Sequence, residues 1–107
     1  MQTDVGQLAS VVSSQSAARH PVVQAVTDLA RPHSSMLDHV AARGRLREAL
    51  TSYVRTLRAE GATPTDVLAV TNALARRALS GIAPTRLASD IRDAIRRWAL
   101  AAYDRVD

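Results

Sequence analysis

Cysteine, lysine and phenylalanine are all missing from this chain of 107 residues. Without cysteine there can be no disulfide and no thiolate zinc site. Without phenylalanine, the large rings available to a core are Tyr53, Trp98 and Tyr103 alone. Without lysine, all 14 basic side chains are arginines. No run approaches the eighteen or so continuous apolar residues of a membrane helix. The start, Met1-Gln2-Thr3-Asp4, lacks the basic lead and apolar stretch of a signal peptide, so a cytoplasmic protein is the expectation. The glycines Gly6, Gly44, Gly61 and Gly81 are isolated and form no phosphate-cradling loop, and no Gly-x-Ser-x-Gly elbow occurs.

Histidine is also scarce. His20, His33 and His39 are not paired at a metal-binding spacing such as i, i+4. The run from His39 to Arg43-Gly44 resembles the His-x-x-Lys-Gly of histidine phosphotransfer domains, which are helical bundles. It is one residue too long and its cation is Arg, so no phosphoacceptor role passes to His39. Asp90 and Asp93 lie three apart on one helix face with Arg86, Arg96 and Arg97 within reach. That spacing suits ion pairs better than an acid/base couple. No catalytic, cofactor or metal site is expected, and the chain reads as non-enzymatic.

What is present is helical periodicity, which points to one all-α domain, a small bundle of four to five helices. Its last three helices, about 45–60, 64–80 and 85–105, are expected to form the core. Two starts are punctuated by proline. In Gly61-Ala62-Thr63-Pro64-Thr65-Asp66, Thr63 suits an N-cap, Pro64 the first helical position, and Asp66 the positive end of the helix dipole. In Gly81-Ile82-Ala83-Pro84-Thr85 the cap would be Ala83, a poor one, so the helix is expected to begin a residue or two later. Gly61 falls on Gly81 and Pro64 on Pro84, but the apolar residues between do not match, and the offset reads as coincident helix punctuation.

After Pro84, Leu87, Ile91, Ala94, Ile95, Trp98 and Ala102 make one stripe that continues to Val106. After Pro64, Val67, Val70, Thr71, Leu74 and Ala78 make another, widened by Leu68, Ala75 and Leu79. A stripe that wide suggests burial on more than one side.

The first half is less regular. Val5, Leu8 and Val12 share a helix face, but Ser13-Ser14-Gln15-Ser16 follows, and serine competes for backbone hydrogen bonds. Residues 1–20 are expected to be a marginal helix or a mobile arm that orders on a partner. His20-Pro21 reads as a boundary, after which Val22, Val23, Val26 and Leu29 edge a short helix ending at Arg31-Pro32. Ser34 or Ser35 caps the next, with Asp38 in its first turn. Met36, Leu37 and Val40 give that helix one face, whereas Leu46, Leu50, Tyr53, Val54 and Leu57 give another. Val40 to Leu46 is roughly 600° at about 100° per residue, so the two sets are out of phase. A bend or restart around Ala42 to Arg45 is expected.

Two sets of arginines are candidates for binding. Arg43, Arg47, Arg55 and Arg58 lie off the apolar face of the long helix and could meet an anionic partner. Arg86, Arg92 and Arg96 on the last helix are the alternative, a nucleic-acid face. The formal charge of +4 is compatible with either. The arginine-only usage has two explanations, codon bias or the bidentate geometry that Arg offers to carboxylate and phosphate. A core thin in aromatics and a wide stripe from Val67 to Leu79 point to a protein–protein interaction domain that pairs with itself or with another protein. A nucleic-acid-binding regulator is the alternative.

Overall fold

The computed structural model describes residues 19–105. The expected amino-terminal arm, up to residue 18, and Val106 lie outside the described residues. Among the described residues there are four helices and no strand. They are α1 over 19–30, α2 over Met36–Ala59, α3 over Pro64–Leu79 and α4 over Thr85–Asp104. The small all-α bundle read from periodicity is the architecture found. Helix α4 is its hub: it packs along both α2 and α3, which hardly touch one another.

The core takes one stripe from each helix. Leu46, Leu50 and Val54 of α2, Val67 of α3 and Ile95 of α4 are almost wholly buried. Helix α1 adds Val22 and Val26, which are equally buried, so the core draws on more than the last three helices. Helical backbone already covers Arg19 and His20, so Pro21 lies inside α1 and the boundary expected at His20-Pro21 is not there. Thr71 is the buried polar residue of the core. Its hydroxyl donates to the Val67 carbonyl at 2.7 Å, which removes the cost of an unpaired hydroxyl.

The helix ends follow the sequence signals closely. Ser35 caps α2, accepting from the Asp38 N–H at 3.1 Å. Thr63 and Asp66 form a reciprocal capping box on α3, at 3.1 Å and 3.0 Å. Helix α4 begins at Thr85 with Pro84 as N-cap and no side-chain cap, a residue later than an Ala83 cap would put it. Gly61 has φ 93° at the end of α2. The Ala62 N–H donates to the Leu57 carbonyl and the Gly61 N–H to the Arg58 carbonyl, both at 3.0 Å. That is a Schellman closure, with glycine at its left-handed position. Gly81, at φ 78°, has a different task. With Ser80 at φ −60°, ψ 121° and the Ile82 N–H donating to the Leu79 carbonyl at 3.2 Å, it makes a type II turn. The two glycines that matched in sequence are therefore different devices.

The expected bend or restart around Ala42 to Arg45 is overturned as well. Helix α2 runs unbroken from Met36 to Ala59, through Gly44. The phase conflict is resolved by leaving the first apolar set uncovered: Met36 is 77% exposed, Leu37 80% and Val40 57%. A helical ladder of hydrogen bonds is not interrupted by one glycine, whose cost is about 1 kcal/mol. The wide apolar face of α3 is used inside the domain and is not left open for a partner. Its Val67, Thr71, Leu74, Ala75 and Leu79 are buried inside the domain, and Val70 alone of its large apolar side chains is exposed.

Candidate functional site

All four arginines singled out on α2 lie on the side that faces α4. Arg43 and Arg47, one helical turn apart, both lie over the Trp98 ring, at 5.5 Å and 5.6 Å from its centroid. Their charge sits against the negative face of the indole. Trp98 is half-buried at the α2–α4 seam rather than central in the core. Arg58 reaches the far end of the same seam. Its Nη1 donates to the Tyr103 carbonyl at 2.7 Å and to the Arg105 carbonyl at 3.1 Å. These are carbonyls at the end of α4, the negative pole of its dipole, where a cation is favoured. Arg58 is thus a structural clasp between two helices.

Between Trp98 and that clasp lies an open groove of about 550 Å³. Arg47, Arg55 and Arg105 line it, over a floor of Trp98, Ala101 and Ala102. Glu48 is the acidic side chain on its wall. The Thr51 hydroxyl is turned back onto its own helix, donating to the Arg47 carbonyl at 2.8 Å. Arg105 was not among the sequence candidates. It is near the chain's end, and only the packing of α4 along α2 brings it opposite Arg47 and Arg55.

The alternative set on α4 is divided. Arg92 and Arg96 line a groove of about 380 Å³ against Leu68, Thr71 and Asn72 of α3, with Asp93 beside them. Arg86, exposed in the first turn, does not line it. Asp90 and Asp93 are exposed, and neither is within 4.0 Å of an arginine among the described residues. Surface pairs of this kind gain little over solvent.

The start of α2 gathers groups that sequence spacing had kept apart. The rings of His33 and His39 meet edge to face, centroids 5.5 Å apart at 72°. His39 is half-buried on the core side of the helix, which fits packing rather than a phosphoacceptor. It borders a cleft of about 300 Å³ with Leu29, Arg43, Leu87 and Ile91. Nearby, Asp38 titrates below the usual carboxylate range, chiefly because the Ser34 hydroxyl donates to it at 2.7 Å, with Ser35 adding to the effect. Among the described residues no three His, Asp or Glu side chains gather to hold a metal ion. Nor is any described helix long and apolar enough to cross a membrane.

The chain matches no protein-family model, no curated protein and no solved structure. Its functional reading rests on its own residues.

Proposed function

We propose that this chain is a non-enzymatic helical interaction domain, working in the cytoplasm, that pairs with a second copy of itself. The observation that carries the reading is the uncovered first turn of α2. Met36, Leu37 and Val40 are exposed side by side there, within about 100° of one another around the helix axis. Single exposed apolar residues are ordinary on a surface, but three large ones on one helical turn are a candidate contact patch. Two copies of such a patch can meet about a two-fold axis, each presenting the same face to the other. The patch is small, so the pairing is expected to be weak and dependent on concentration. Its role would be that of an adaptor or regulator, brought to its partners through that patch.

A nucleic-acid reading has less support. Arg58 is engaged with backbone carbonyls and Arg43 with Trp98, so the long basic stripe does not stand free.

Sedimentation velocity over a concentration series tests the proposal. The wild-type chain should shift toward a dimer as concentration rises, and Leu37→Asp should abolish the shift without changing the circular dichroism spectrum. A wild-type chain that stays monomeric throughout refutes it.

A further inference from the structure

The groove between α2 and α4 is a second surface, on a different part of α2 from the apolar first turn. It combines three features. Its walls carry Arg47, Arg55 and Arg105 against the single acid Glu48. Its floor of Trp98, Ala101 and Ala102 is apolar and low, because alanine methyls leave room above them. It is open along its length, and its arginines are exposed, which suits a macromolecular partner better than an enclosed small molecule.

We infer that this groove docks an acidic amphipathic helix of a partner protein, its apolar residues over Ala101 and Ala102 beside the arginine-covered Trp98 ring, and its carboxylates on Arg47 and Arg105. Charge complementarity selects the occupant. Arginine pairs carboxylates through two parallel N–H donors. Helix-in-groove docking of this kind uses an apolar stripe for affinity. A nucleic-acid strand fits less well. It carries a charge at every nucleotide, and so cannot pass a neutral stretch over Glu48 and the alanine floor as a helix with spaced carboxylates can.

Trp98 is the chain's one tryptophan, so its emission reports on the groove floor directly. The probe is a synthetic helical peptide of about twenty residues, with Leu along one face and Glu flanking it. It is titrated into the full chain at low salt alongside two comparators, the same peptide with every Glu replaced by Gln and a single-stranded oligonucleotide. The Glu peptide should shift Trp98 emission saturably. The double variant Arg47→Gln, Arg105→Gln should bind it about tenfold more weakly, roughly the loss of 1.4 kcal/mol. Arg86→Gln, outside the groove, should bind as the wild type does. Circular dichroism confirms that each variant is folded, and the Arg105→Gln single variant, whose backbone carbonyl still meets Arg58, provides a second test if the double variant unfolds. Equal binding of the Gln peptide, tighter binding of the oligonucleotide, or no saturable response overturns the inference. Self-association through Leu37 is measured separately, so that either result leaves the other standing.

Discussion

Arg58 grips Tyr103 twice: it donates to that residue's carbonyl at 2.7 Å, and its guanidinium lies 5.1 Å from the centroid of the same residue's ring. The Tyr103 hydroxyl in turn donates to the Ala62 carbonyl at 2.9 Å. The end of α2, the link to α3 and the end of α4 are thereby tied at one point.

Removing either partner should loosen that tie measurably. Arg58→Ala should cost about 1 kcal/mol, because an exposed charge-assisted bond is partly replaced by water. Tyr103→Phe should cost a similar amount, roughly 0.5–1.5 kcal/mol. Arg58→Lys should recover only part of the loss, since a single ammonium lacks the fork. Urea denaturation of the three variants checks the order.

The glycines should respond in opposite directions. A methyl at Gly44 would meet nothing within 4 Å, and the residue sits inside a continuous helix, so Gly44→Ala should stabilise by up to about 1 kcal/mol. Gly61 also has space, but its φ of 93° disfavours any side chain. Gly61→Ala should destabilise by about 1 kcal/mol. Thermal unfolding of the two variants should therefore give midpoints on either side of the wild type.

Much of this was readable in the sequence, and what was not has a physical reason. Proline and the cap residues act on their immediate neighbours, so the limits of α3 and α4 and the Ser35 cap could be read locally. Whether α2 breaks at Gly44 could not. Periodicity shows that two apolar faces exist, but only packing decides whether one of them goes uncovered. The site was harder still. Arg58 and Tyr103 are 45 residues apart in the chain, and Arg105 joins Arg47 only because α4 lies along α2. Nothing local to Arg43 or Arg47 announces Trp98 as their shared neighbour.

Acid should weaken the domain through its caps. Asp66 titrates below the ordinary aspartate value of about 3.9, first because the Thr63 backbone N–H donates to it and then through the Thr63 side chain. Asp38 is lowered too, by Ser34 first. A carboxylate with a depressed folded-state pKa favours folding above its unfolded value, and that contribution disappears as pH falls through the folded value. Melting temperatures measured from about pH 5 to pH 2 should therefore decline. Asp66→Asn should flatten the decline, leaving the part due to Asp38.

Truncating the core should be far more costly than truncating the rim. Leu46 is 0% exposed and Val70 37%. Leu46→Ala should destabilise by about 2–5 kcal/mol, whereas Val70→Ala should stay within roughly 0.5 kcal/mol. Similar losses at the two positions, measured by chemical denaturation, would contradict the contrast between a buried Leu46 and an exposed Val70.

The corner from Glu60 to Thr63 leaves no backbone N–H idle. Glu60, Gly61 and Ala62 donate back into α2, and Thr63 donates to the Asp66 carboxylate. Tyr103 holds the Ala62 carbonyl from the other side. A tag spliced into this corner, or new termini opened there by circular permutation, would forfeit these bonds together with the anchorage of α4.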